Sequence, residues 1–347
     1  MGDPRVDHFR TQAAACDTLG SPLYAALIDR LADDLESGGP THEVLVGYEH
    51  DSGPSALALR LMGAVHRLVL EGEAPDLAAC YPSVGGDADA DAAWLALRDL
   101  LARDRDRLLP LLDQAPQTNE VGRSAALLGG LLHIAREYRL PIWLHEIGAS
   151  AGLNLRADHY RYVTGGADWG PEDSPVVLED AWHGSPPPTD AKLDIVDRAG
   201  SDLAPIDPGR RDGRLRLLSY VWPDQTTRLA RLRGALEISD RVPVTVRRED
   251  ALSTVRRLAL APACVTVLWH SVMWQYLPRA ERHAIDERLD ALGSAATKRS
   301  VLARLTLEPQ RRTPDAEHEF LVGLQCWPGE RRILGVAAPH GVPTTWE

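Results

Sequence analysis

The stretch "LHEIGASAGLN", Leu144 to Asn154, decides how this chain is read. An apolar run enters it, Gly148-Ala149-Ser150-Ala151-Gly152 interrupts it, and Leu153 and Leu155 resume a buried pattern. Five small residues between apolar flanks mark a sharp turn that lets another group approach the backbone. Two chemistries use such a turn. Read as G-x-S-x-G, it is a nucleophile elbow with Ser150 as the attacking hydroxyl. Read as E-x-G-x-x-x-G, with Glu146 at its head, it is a glycine turn against which a nucleoside cofactor lies. In the second reading the helix that follows presents unpaired N–H groups to the ligand.

The flanking sequence separates the two. Residues 1 to about 115 read as helices only. In "SPLYAALIDRLADDLESGGP", Ser21 is a cap, Pro22 suits the first helical position, and Leu23, Leu27, Ile28, Leu31 and Leu35 form one stripe. "PSALALRLMGAVHRLVLEGEAP" and "AAWLALRDLLARDRDRLLPLLDQ" repeat the pattern, and "NEVGRSAALLGGLLHIAREYRLP" is a further helix that runs into a strand at Ile142. From Pro141 onward the texture changes to β-rich runs: "IWLHEIG", "KLDIVDRAG", "VPVTVRRED", "CVTVLWHS", "RSVLARLTLE", "EFLVGLQCW" and "RRILGVAAP". Most are continuously apolar, as strands buried on both faces of a parallel sheet must be. "PRAERHAIDERLDALG" between two of them has helical spacing. The last two runs are joined only by "PGE", too short for a parallel crossover, so they pair antiparallel.

The expected fold is therefore α/β: a seven-stranded, doubly wound sheet with a C-terminal antiparallel hairpin, preceded by an all-helical subdomain. The boundaries expected are 1–115 for the helical part and 116–347 for the α/β part, with a Gly-, Pro- and Trp-rich insertion at about 155–190 carrying one hairpin. A nucleophile elbow requires several strands before it. Here everything upstream is helical, which favours the cofactor turn. The hydrolase stays as the alternative, because Ser150, then Asp250 or Asp315, then His340 stand in the required chain order.

This topology and these motifs resemble the class I methyltransferases that bind S-adenosylmethionine. Glu146, Gly148 and Gly152 fall in register with their first motif, and Ser150 stands where its commonest form has a middle glycine. "RAGSDLAPID" (Arg198 to Asp207) resembles the end of their second strand, and "VPVTVRREDAL" the exit of the third. The resemblance implies that Glu146, Gly148, Ala149, Ser150, Gly152 and Asn154 shape the cofactor site, that Asp202 holds the ribose, and that Asp250 contacts the adenine. "CVTVLWHSVMWQYLP" resembles the fourth strand and the turn after it, with His270 beside both cofactor and acceptor. His270 and Tyr276 are the candidate catalytic residues, His270 as a base or as a hydrogen-bonded wall. Arg123 in "QTNEVGRSAALL", Trp222 in "YVWPDQTTRLARL" and Trp274 are the candidate substrate contacts. Helix capping is the other reading of those two stretches. The order of "QTNEVGR", "HEIGASAGLN", "VWPDQ" and "WHSVMWQYLP" also resembles, over nearly the entire chain, a bacterial family catalogued as a domain of unknown function with a Rossmann-like, methyltransferase-like fold.

Composition bounds the partners. With 50 acidic against 38 basic residues the net charge is −12, which opposes duplex nucleic acid. Cys16, Cys80, Cys264 and Cys326 lack metal or disulfide spacing and read as free thiols. The charged start "MGDPRVDHFR" has no apolar leader, and no run reaches the roughly 20 apolar residues of a membrane span. The expectation is a cytoplasmic protein acting on a small molecule, with S-adenosylmethionine as cofactor and no metal. A hydrolase, or a non-catalytic ligand-binding member of the same fold, is the alternative.

Overall fold

A computed structural model describes residues 3–51, 55–113 and 115–347. Pro54 and Gln114, the outer ends of two expected helices, lie outside the described residues, as do Met1 and Gly2. The chain divides into two compact units, Met1–Thr118 with Arg210–Ala230, and Asn119–Gly209 with Arg231–Glu347.

The first unit begins with α1 (Pro4–Thr18), α2 (Pro22–Glu36), α3 (Pro40–Val44), α4 (Leu57–Leu70), α5 (Pro75–Ala78), α6 (Ala90–Arg103) and α7 (Arg105–Leu112). The α2 stripe is fully used, with Leu23, Leu27, Ile28, Leu31 and Leu35 all buried. Ser21 sits at the cap position, but its side chain makes no capping bond to the helix. The Asp224 carboxylate accepts from Ser21 Oγ at 2.6 Å and from the Leu23 N–H at 3.0 Å, and Gln225 Nε2 donates to Leu19 O at 2.8 Å. A carboxylate from a distant segment thus takes the orphan helix amide that a capping serine would take, and the serine hydroxyl as well. The 210–230 segment thus completes the helical unit, and Trp222 is buried in its core against Tyr24.

The second unit runs from α8 (Ser124–Tyr138) into β1 (Ile142–Ile147). There follow β2 (Arg161–Tyr162), β3 (Val177–Leu178), β4 (Trp182–Gly184) and β5 (Ile195–Asp202). After α9 (Arg211–Ser219) and α10 (Thr226–Arg241) come β6 (Thr245–Arg248), α11 (Ala251–Arg257), β7 (Val265–Ser271) and α12 (Arg279–Gly293). The chain closes with β8 (Val301–Gln310), β9 (Glu319–Trp327), β10 (Arg331–Ala337) and β11 (Thr344–Trp346). All seven β-rich runs form strands, and β9 pairs antiparallel with β10 across the "PGE" turn.

The sheet has nine strands rather than seven, in the order β4-β11-β10-β9-β8-β7-β1-β5-β6. Two short strands make the difference: β11 pairs with β10, and β4 pairs parallel with β11 at the edge. The insertion therefore ends in the main sheet, and its β2–β3 pair is parallel instead of a hairpin. From β6 to β8 every pairing is parallel. From β8 to β11 the pairings are antiparallel, because residues 311–318 between β8 and β9 are too few for a crossover of a dozen or more. Side chains alternate between the two faces. Ile147, Leu268 and Leu302 pack with α11 and α12 on one face. Gly130 of α8 lies against Leu305 on the other. The connection after β1 leads to β5 on one side and the connection after β7 leads to β8 on the other, so the carboxyl ends of β1 and β7 flank the topological switch point, where open α/β sheets bind ligands.

Candidate functional site

β1 ends in the glycine turn, and its backbone explains its residues. Gly148, Ser150 and Gly152 all have positive φ, at 70°, 52° and 67°. Glycine adopts that region freely, whereas a serine there is strained. The strain is held by side chains. The Ser150 N–H donates to Asp202 Oδ2 at 2.8 Å, and the Ala151 and Leu153 N–H groups donate to Asn119 Oδ1 at 3.2 and 2.9 Å. The Gly152 N–H bonds Ala149 O at 2.7 Å, and Ala149 N–H continues the ladder to Ser201 O. This corrects one expectation. The N–H groups of Ala149, Ser150, Ala151, Gly152 and Leu153 are spent inside the chain, and a 3-10 turn at Asn154–His159 follows in place of a long helix. Arg156 adds a brace, donating to Gly152 O at 2.8 Å and Val242 O at 2.7 Å.

Beneath the turn, buried polar atoms lack partners among the described residues. Glu146, 2% exposed, has Oε2 unbonded, and Ser150 Oγ, Asn154 Oδ1 and Trp269 Nε1 are likewise buried and unbonded. Leaving such a group unsatisfied costs about 1–3 kcal/mol each. Burial pushes the Glu146 carboxyl well above its ordinary range. The Asp202 charge pushes the same way, while Trp269, Arg123 and Arg156 pull it back. Glu146, Asp202 and Arg123, read separately in the sequence, thus share one electrostatic neighbourhood. Asn154 Nδ2 donates to Glu120 O at 3.2 Å, tying the turn to the 3-10 segment Val121–Arg123.

β7 contributes two faces. Trp269 pairs with Glu146 in the ladder, and His270, one residue on, points to the α12 side. There His270 Nδ1 bonds Glu308 Oε1 at 2.7 Å, and Arg304 Nε donates to His270 Nε2 at 3.1 Å. Nε2 therefore accepts and Nδ1 carries the proton, so the ring is neutral. Burial lowers its pKa in agreement. Trp274 stacks on the ring with centroids 5.0 Å apart, and the Arg304 guanidinium lies 4.2 Å from the Trp274 centroid. Both ring nitrogens of His270 are engaged. Glu308 also accepts from the Met273 N–H at 3.2 Å and the Trp274 N–H at 3.3 Å. It anchors a loop in which Val272 has a φ of 49°, an outlier for a β-branched residue. Met273 Cγ would lie 3.1 Å from a Cβ placed on Gly148, so loop and glycine turn touch. Tyr276, on the 3-10 turn Trp274–Tyr276, is 73% exposed.

The remaining candidates separate. Asp250 caps α11, accepting from Ser253 N–H and Oγ, both at 2.7 Å, and those bonds lower its pKa. Trp222 belongs to the core of the helical unit. For the hydrolase alternative, the unbonded Ser150 hydroxyl has no histidine at hydrogen-bonding distance. Arg156, Arg304 and Glu308 stand outside the residues that the motifs single out, while Asn119 lies within "QTNEVGR" and accepts from two amides of the glycine turn. Arg304 and Glu308 leave a signal even so, as isolated charges in the apolar run "VLARLTLE".

No curated protein and no solved structure matches the chain. A family does, across residues 6–346. The chain belongs to the family described as "Uncharacterized protein conserved in bacteria (DUF2332)".

Proposed function

We propose that this chain is an S-adenosylmethionine-dependent, methyltransferase-like protein acting on a small-molecule acceptor. The observation that carries the reading is the buried Glu146 side chain, whose Oε2 has no hydrogen-bond partner among the described residues, under a glycine turn at the switch point of the parallel strands. The strand order β6-β5-β1-β7-β8 supports it, being 3-2-1-4-5 when the parallel strands are counted along the chain. The antiparallel continuation is this chain's own variation.

The residues present fit the cofactor's amino-acid end. Glu146 Oε2 and Asn154 Oδ1 are acceptors for an ammonium group, and the Ser150 hydroxyl is a donor for a carboxylate, with the Arg123 guanidinium acting on the same neighbourhood. Gly148, Ala149 and Gly152 shape the turn, and we assign Asp202 to the ribose and Asp250 to the adenine at the exits of β5 and β6. When bound, the cofactor supplies an electrophilic methyl group. The chain's part is then placement and exclusion of water, which suffices for much of such a barrier. His270 orients Trp274 and the 272–276 loop, and Tyr276 is the exposed group at that edge able to meet an acceptor.

Titration calorimetry with S-adenosylhomocysteine tests the reading. Micromolar binding, about −8 kcal/mol, is expected for the wild type, and a loss of tenfold or more for Asp202→Ala and Glu146→Gln. No heat at millimolar ligand overturns the reading. One observation favours the hydrolase instead, the left-handed backbone of Ser150, which an elbow nucleophile also needs. Covalent labelling by a fluorophosphonate, abolished in Ser150→Ala, would select it. Cofactor binding without turnover over a broad acceptor panel would select the non-catalytic member.

A further inference from the structure

A cleft of about 570 Å³ lies between α12 and the sheet face formed by β8, β9 and β10. Its origin is topological. β8 turns straight back into β9, so no crossover helix follows β8 to cover this face beside α12. The alternation along the strands is consistent with an uncovered surface. Leu305, Leu307, Val322 and Leu324 are buried on the opposite face, whereas Thr306, Gly323 and the half-buried Gln325 line the cleft, Thr306 and Gly323 at its buried floor. A merely solvated sheet face would explain polar residues there. It does not explain three arginines left with open donors.

Arg282, Arg304 and Arg331 all line the cleft. Each guanidinium carries five N–H donors. Arg282 forms no side-chain hydrogen bond or ion pair among the described residues, and its Nε is buried. Arg304 spends Nε on His270 and Nη1 on Asp286 (2.6 Å), leaving Nη2 without a partner among the described residues. Arg331 makes one bond, from Nη2 to Gln310 Oε1 at 2.7 Å. Asp286 and Asp290 also line the cleft, so the arginines outnumber the carboxylates by three to two. Trp274 and Trp327 supply aromatic surface. The volume falls within the roughly 300–1,000 Å³ of small-molecule sites.

We propose that this cleft binds a small molecule through a phosphate or carboxylate group, held by Arg282, Arg304 and Arg331, with its body against Trp327. The forked donors of arginine suit both oxyanions. The site is independent of the methyltransferase reading and survives if that reading fails.

Inorganic phosphate and malonate serve as probes, each titrated into the full chain at constant ionic strength with chloride as the balancing anion. A ligand that binds only the folded state raises Tm in proportion to ln(1 + [L]/Kd). The expected result is a Tm rise and a change in tryptophan emission beyond the chloride control, with affinity falling tenfold or more in both Arg282→Met and Arg331→Met. A response to phosphate alone identifies a phosphate ligand, and a response to malonate alone a carboxylate. Arg331 is exposed, so its variant remains informative if Arg282→Met does not fold. The proposal is overturned if neither anion exceeds chloride, or if the response survives in Arg331→Met and in every Arg282 variant that folds.

Discussion

Glu146 sets the chemistry beneath the turn, and its cost is measurable. Folding holds its carboxyl above the ordinary value of 4.5, so the fold favours the protonated form. The stability linked to that proton is complete below pH 4.5 and is lost as pH rises through the raised value. Glu146→Gln mimics the neutral form. Its Tm is expected to match the wild type near pH 4.5 and to exceed it increasingly at higher pH, while affinity for S-adenosylhomocysteine falls. A pH-independent difference in Tm would mean that Glu146 is paired in solution. Glu146 is legible in the sequence, as an acid at the end of an apolar strand before a glycine turn. Asn119 is not, since an asparagine serving two amides of a turn more than thirty residues away has no local signature.

Among the elements, α2 and the β7–β8 pair show how side chains from distant segments finish local structure. Asp224→Ala removes the acceptor for two donors at the start of α2, and a loss of about 1 kcal/mol is expected by urea denaturation. If the stability is unchanged, the Asp224 bonds add nothing to α2. Glu308→Leu strips the partner from His270 and from the Met273 and Trp274 amides, and a loss of about 2–3 kcal/mol is expected, read by the same method. In that variant the 272–276 loop loses its anchor beside Gly148, so cofactor affinity is expected to fall along with stability. Helix and strand positions followed from apolar spacing, because burial imposes periods of 3.6 and 2 wherever an element packs on a core. Caps did not follow, because a cap is defined by whatever group reaches the terminus in space.

For the whole molecule, the sheet's extent is decided at its edge. Trp346 in β11 is 2% exposed, its ring set against Gly129 of α8, while its strand joins β10 to β4. Trp346→Ala is expected to cost about 3–5 kcal/mol, and calorimetric unfolding checks it. A loss under 1 kcal/mol would mean that β11 and β4 add little to the sheet. None of the helices among the described residues is long and apolar enough to cross a membrane. The amino-acid order alone placed an all-helical first stretch, seven of the nine strands of the main sheet, the antiparallel β9–β10 pair and the glycine turn, since each is written in local spacing and small residues. Tertiary contacts alone assigned 210–230 to the helical unit, recruited β4 and β11 to the sheet, filled the turn's N–H groups and enclosed His270 between Glu308 and Arg304. Those outcomes depend on which distant groups meet, and a backbone amide or an imidazole nitrogen accepts any partner of the right polarity that packing brings within reach.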